Sequence, residues 1–209
     1  MRILNIEITK ERIPNLLTFG RIALIPVLVG LLYIPLHITS WLALALYVIM
    51  CISDYLDGYL ARKWQVTSPV GTFLDPIADK ILIAVLLIVF VDLERLPGFW
   101  ILPVMIILMR EFLIAGLREY LGAKDVKVPV MFIAKWKTTV QMLALGFLMV
   151  GHINRDLLFV GWTGILFAAG ITAYTGYVYV TSAWQHISQN RDIESEPIKE
   201  IEGAKSDDG

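Results

Sequence analysis

The 209-residue chain is 57% apolar and only 18% charged, with a net charge of −1 at pH 7; a soluble domain is roughly 45–50% apolar and 25% charged. This balance excludes disorder over most of the chain and an ordinary water-soluble fold, and it calls for a bilayer as second solvent. The near-zero charge argues against nucleic acid as a partner, the single Cys51 excludes an internal disulfide framework, and His37, His152 and His186 stand too far apart to suggest a His/Cys metal cluster.

Taken in chain order, residues 1–12 carry Ile3, Leu4, Ile6 and Ile8 among charges, which predicts a short interfacial helix. Six apolar stretches follow, near 17–36, 41–61, 73–91, 99–119, 130–150 and 157–183. Each approaches the ~20 residues that a helix needs to cross a bilayer. The breaks carry Pro, Gly or charge: Pro35-Leu36-His37, then 62–71, 92–98, 122–129 and 151–156. No strand-length alternation competes, and no cleavable signal pattern removes the first span. Gly164, Ala168, Thr172 and Gly176 give the last span a small-residue stripe that reads as helix packing. Residues 188–209 are polar and acidic and read as a solvated, disordered tail beyond a membrane domain over 1–187. The expected class is an all-α integral membrane protein with six transmembrane helices.

Charge sets the orientation. Of the eighteen Lys and Arg, only Arg95 and Arg155 belong to the side that holds loops 1–2, 3–4 and 5–6. The positive-inside rule then puts both termini in the cytoplasm. Trp41, Trp64, Trp100, Trp136, Trp162 and Trp184 all fall near span ends, where aromatic belts lie.

Spans two and three carry carboxylates at membrane depth, each costing on the order of 2.5–3.5 kcal/mol if it faced lipid. Asp54 and Asp57 are three apart and share a helix face, which Gly58 and Ala61 continue; Asp75 and Asp79 are four apart and share another. The short connection from Arg62 to Gly71 makes the two helices antiparallel neighbours, so both acid pairs converge near the cytoplasmic end. Four carboxylates in one wet pocket repel unless cations join them, and hard oxygen donors suit Mg²⁺, Mn²⁺ or Ca²⁺. Two ions bridged by shared aspartates would form a clamp for phosphoryl displacement. Gly58 and Gly71 let a charged ligand approach the backbone, and Arg62 presents a planar fork to a phosphate. A proton or cation pathway uses similar acids, but transporters often repeat their halves, and no second half matches here.

The string Asp54-x-x-Asp57-Gly58-x-x-Ala61-Arg62, eight residues, Gly71, three residues, Asp75, three residues, Asp79 resembles the signature of the CDP-alcohol phosphatidyltransferases, with every signature position filled over 26 residues. The resemblance runs from about 13 to 185. It implies a six-helix membrane enzyme, commonly a homodimer, with a divalent-metal site of Mg²⁺ or Mn²⁺, two ions, that carries the CDP group. It also implies that Asp54, Asp57 and Asp75 are mainly metal ligands and that Asp79 is the general base beside the acceptor hydroxyl. Ile13-Pro14-Asn15-Leu16-Leu17-Thr18-Phe19-Gly20-Arg21, Arg110-Glu111 with Arg118, and Ala134-Lys135-Trp136-Lys137-Thr138-Thr139-Val140-Gln141 resemble the branch that makes phosphatidylglycerophosphate. By that likeness the substrates are CDP-diacylglycerol and sn-glycerol 3-phosphate, and the products are phosphatidylglycerophosphate and CMP.

An anionic acceptor needs a basic cradle, for which Arg110, Arg118, Lys135 and Lys137 are the candidates; anchoring of Arg118, Lys135 and Lys137 to anionic headgroups is the rival reading. Asn15 and Thr18 share a face and serve either the nucleotide or an interhelical hydrogen bond. Glu111 and Arg118, seven apart, read equally as an intramembrane ion pair. Other acceptors within the family pattern are inositol phosphate, serine and phosphatidylglycerol. No Cys or His is positioned as a nucleophile, so direct displacement is expected.

Overall fold

A computed structural model of the chain describes residues 12–64, 69–122 and 133–204, with side chains for most of them between 17 and 184. The interfacial helix expected over 1–12 lies outside the described residues, apart from Arg12 itself. Six α-helices are found among those described: α1 Arg12–Tyr33, α2 His37–Trp64, α3 Pro69–Asp92, α4 Ile101–Gly122, α5 Ile133–Val150 and α6 Arg155–Ala204, with a 3₁₀ turn over Gly98–Trp100 before α4. Each overlaps one of the six predicted apolar stretches.

Among the described residues, three stretches are long and apolar enough to cross a membrane, His37–Leu56, Gly98–Gly122 and Arg155–Trp184; Leu17–Tyr33 and Trp136–Val150 are shorter apolar helices. Large apolar side chains stay outside, among them Tyr55, Phe99, Phe112, Tyr177 and Trp184. Contiguous apolar surface on this scale would be a liability in water, whereas lipid accommodates it. The chain is a helical membrane protein.

α6 continues to Ala204, into the segment expected as a solvated tail. Gln185, Gln189, Arg191, Glu194 and Glu196 extend a helix at low cost, and Pro197 stands within it. Polarity there argued for solvent, and solvent does not by itself unwind a helix.

The chain divides into two compact units, residues 1–104 with 139–167 and residues 105–138 with 168–209. In the first, α1 packs on both α2 and α3. Its buried stripe runs Thr18, Arg21, Ile25, Leu28 and Leu32, the three- and four-residue spacing of one helix face. Leu82, Leu86 and Phe90 of α3, Tyr47 and Met50 of α2, and Leu145 and Leu148 of α5 are buried in the same unit.

At the C-terminal end of α5, the Arg95 guanidinium donates from Nη1 to the carbonyls of Leu148 (3.0 Å) and Met149 (2.7 Å). These are carbonyls that the helix itself leaves without partners, and a cation also complements the negative end of the helix dipole. Trp162 Nε1 donates to the Arg95 carbonyl at 2.7 Å and its ring stacks on Trp100. Trp162 is thus tied into this end of the unit, while Trp41, Trp136 and Trp184 remain exposed as belt residues should. His152 meets His37 edge-on and approaches Ser40 Oγ at 3.4 Å. Partial burial, then the charges of Arg95 and His37, holds its imidazole below the ordinary histidine range.

In the small-residue stripe of α6, Gly164 serves helix packing. A Cβ on Gly164 would sit 2.7 Å from Ala144 Cβ, so α5 and α6 meet there with no room for a methyl. Gly164→Ala is expected to lower the stability of the purified protein by about 1–3 kcal/mol, the usual cost of overpacking. Gly170→Ala, with nothing within 4 Å of the added atom, is expected to hold stability or raise it by up to about 1 kcal/mol. Melting of the two variants in the same detergent checks this, and equal behaviour would refute the close approach.

Candidate active site

The acid-bearing segments sit on adjoining parts of the first unit. Asp54 and Asp57 lie in α2, Asp75 and Asp79 in α3, and α1 lies against both helices. The helical backbone keeps each pair about one turn apart. Pro76 stands inside α3 immediately after Asp75 and removes one rung of its hydrogen-bond ladder. The side chains of Asp57, Ala61, Arg62, Asp75, Lys135 and Asn15 lie outside those described, as does the environment of Gly71. The roles expected of them therefore remain sequence readings.

For the two acids whose side chains are described, the arrangement is specific. Arg21 Nη1 lies 2.5 Å from Asp54 Oδ1 and 2.8 Å from Asp79 Oδ1. One nitrogen of α1 thus gathers one carboxylate from α2 and one from α3. The arginine side chain is 2% exposed, whereas those of Asp54 and Asp79 are 36% and 49% exposed. The cation approaches from the packed interior, and the acids keep a face open. Thr18, three residues earlier on the same face, is buried. Cations were expected to join these acids, and the chain supplies one itself. Arg21 stood in the sequence only as the end of a motif, with no spacing to tie it to residues 33 and 58 positions away.

A second polar cluster lies within the second unit. Glu111 Oε1 accepts from Lys137 Nζ in a short ion pair and lies 3.6 Å from Arg110 Nη1. Arg110 Nη2 reaches Thr175 Oγ1 at 3.5 Å, and that hydroxyl donates its own proton to the Ile171 carbonyl. A Cβ on Gly176 would come 2.8 Å from Arg110 Cγ, so this glycine makes room for the arginine stem. Arg110, Glu111 and Lys137 are all largely buried. Two candidates for the basic cradle, Arg110 and Lys137, are therefore brought together, with Glu111 between them. The Glu111–Arg118 pairing suggested by spacing is replaced: the glutamate's partners are Lys137 and Arg110, and Arg118 is exposed two turns further along α4.

Several buried polar atoms have no hydrogen-bond partner among the described residues. They are Arg110 Nε and Thr172 Oγ1 in the second unit, and both amide atoms of Gln141 in the first. Buried groups of this kind are normally satisfied, and exceptions point to a missing ligand or water. Only Arg110 was expected at a site; Gln141 and Thr172 belonged to a motif string and to a packing stripe.

The donor chemistry suits a divalent cation, since Asp54 and Asp79 offer hard carboxylate oxygens on an open face. Among the described residues, no three His, Cys, Asp or Glu side chains stand close enough to form a complete ligand set; of the four aspartates of the signature, the side chains of Asp54 and Asp79 are among those described.

Residues 11–176 match the family model described as CDP-alcohol phosphatidyltransferase. The chain is 40% identical over 172 residues to a CDP-diacylglycerol–glycerol-3-phosphate 3-phosphatidyltransferase of Rickettsia bellii, across 81% of this chain and 93% of that one. Proteins of the same name are 42% identical over 149 residues in Haemophilus influenzae (69% of this chain, 79% of that one) and 37% identical over 174 residues in Pectobacterium atrosepticum (82% and 94%).

Proposed function

Because the chain belongs to the CDP-alcohol phosphatidyltransferase family, we propose that the acids gathered on Arg21 are its catalytic centre. The enzyme transfers the phosphatidyl group of CDP-diacylglycerol to sn-glycerol 3-phosphate, releasing phosphatidylglycerophosphate and CMP. The names of its relatives support this reaction. The observation that carries the site is the convergence of Asp54 and Asp79 on one buried guanidinium.

The mechanism follows from the side chains. Asp79 takes the proton of the acceptor hydroxyl as its oxygen attacks the phosphorus bearing diacylglycerol, and the bond from that phosphorus to the CMP oxygen breaks. Asp54, Asp57, Asp75 and Asp79 would hold Mg²⁺ or Mn²⁺, two ions, which would supply positive charge to offset that of the pyrophosphate. Arg62 steadies the departing nucleotide phosphate, Gly58, Ala61 and Gly71 allow close approach, and Asn15 and Thr18 contact the nucleotide. Arg110, Arg118, Lys135 and Lys137 receive the phosphate of the acceptor. An uncharged alcohol would leave the buried Arg110 and Lys137 without a function beyond balancing Glu111. The assay is CMP release by the purified protein from CDP-diacylglycerol with Mg²⁺ and a panel of acceptors. Release that requires glycerol 3-phosphate is expected; release driven equally by serine or inositol phosphate would overturn the acceptor.

The same reading places six spans in the cytoplasmic membrane, both termini and the site on the cytoplasmic face, among membrane lipids and in a homodimer. Single cysteines at residues 62–70 are expected to label only from the cytoplasmic side, and those at 92–98 and 151–156 only from outside. The reverse pattern would overturn the orientation.

A further inference from the structure

We infer that Arg21 is the protein's own counter-cation for the acid cluster and that it sets how weakly a divalent ion is held there. The inference rests on the proposed metal reading of Asp54 and Asp79. The same nitrogen, Nη1, serves both carboxylates, at 2.5 and 2.8 Å. One positive charge therefore offsets the mutual repulsion of the two carboxylates.

Three features make this charge fixed. A guanidinium does not lose its proton in a protein. The side chain is 2% exposed, so it has no solvent to swing into. Its helix face continues through Ile25, Leu28 and Leu32, all buried, so the stem is seated on the packed side of α1. The carboxylates, by contrast, are open on the other side. An incoming ion would meet them from that open face, with the arginine remaining behind.

Two cations then draw on the same two carboxylates. Each lowers the affinity of the acids for the other, and such coupling is reciprocal. Without the ion, Arg21 spares the fold the repulsion between Asp54 and Asp79. With the ion present, Arg21 keeps it exchangeable. Arg21 is thus a positioning residue, acting through the acids and not on the reacting atoms.

The test is Mn²⁺ binding, followed by electron paramagnetic resonance, to the purified full-length protein and to Arg21→Gln and Arg21→Lys. Melting temperature is measured in parallel with and without Mn²⁺. Arg21→Gln is expected to bind Mn²⁺ about 10-fold more tightly or better, within the roughly 5–150-fold range of such couplings. It should melt lower than the parent without metal and gain more from Mn²⁺. Arg21→Lys keeps the charge and should stay within about threefold of the parent, since a threefold change is under the usual coupling range. Arg21→Met, of similar length and uncharged, replaces the glutamine variant if that one does not fold. Equal or weaker Mn²⁺ binding by the uncharged variant, while the parent binds the ion, overturns this inference and leaves the metal reading standing. No Mn²⁺ binding by any of the proteins overturns both.

Discussion

Asp79→Asn is expected to reduce turnover by about 10²–10⁴, the usual worth of a positioned general base, while the protein stays folded. The geometry makes this a clean substitution. Arg21 donates to Asp79 Oδ1 at 2.8 Å, and an asparagine carbonyl accepts the same hydrogen bond. The side chain keeps its place and volume and loses its negative charge, its ability to take a proton and part of its strength as a donor to a divalent ion. Turnover at saturating concentrations of both substrates, measured beside the melting temperature, separates the effects. A variant that turns over within threefold of the parent would remove Asp79 from the role of base; a large drop in melting temperature would show that the acid is needed for the fold.

The second large effect is expected at Lys137, and here stability and substrate use should part company. Lys137→Gln leaves Glu111 buried with only Arg110, at 3.6 Å, to balance it. Breaking a buried ion pair by deleting one partner costs about 3–5 kcal/mol, so the single variant should be markedly less stable. It should also lose about 10-fold or more in kcat/KM for glycerol 3-phosphate, with little change for CDP-diacylglycerol, because a charge-assisted hydrogen bond contributes roughly 1.5–3 kcal/mol. The double variant Lys137→Gln with Glu111→Gln removes both charges and should recover stability without recovering acceptor use. If both return together, Lys137 serves the fold alone and the cradle reading falls.

The helices were legible because their signal is local. Apolar runs of span length and the breaks at Pro35 and at 92–98 sit in consecutive residues, and α1 through α5 follow them to within a few positions. At the tail the two signals differ, because polarity reports solvent exposure, whereas helix formation past Ala183 depends on backbone propensity. The site was legible in its acids, which are unusual at membrane depth and regularly spaced. Its cations were not. Arg21 reaches Asp79 across 58 residues, and Lys137 reaches Glu111 across 26. Spacing within one helix instead offered Arg118 as a partner for Glu111. Pairings between helices depend on which faces meet, and periodicity along one helix carries no record of that.

The cap at the end of α5 bears on how the chain is assembled. Arg95 emerges from the ribosome 53 and 54 residues before the carbonyls it binds at Leu148 and Met149. The indole that donates to its backbone carbonyl, Trp162, comes 67 residues after it. Chains are built from the N-terminus at about 5–20 residues per second, so for several seconds a guanidinium destined for burial has none of these partners. During that interval its charge lacks these carbonyls, and the joint between the turn after α3 and the end of α5 is not yet made. Completion of α5 and the start of α6 supply the partners together, which makes this joint a late-closing latch. A chain arrested before residue 148 would retain Arg95 as an open charge, available to quality-control machinery that a finished molecule would escape.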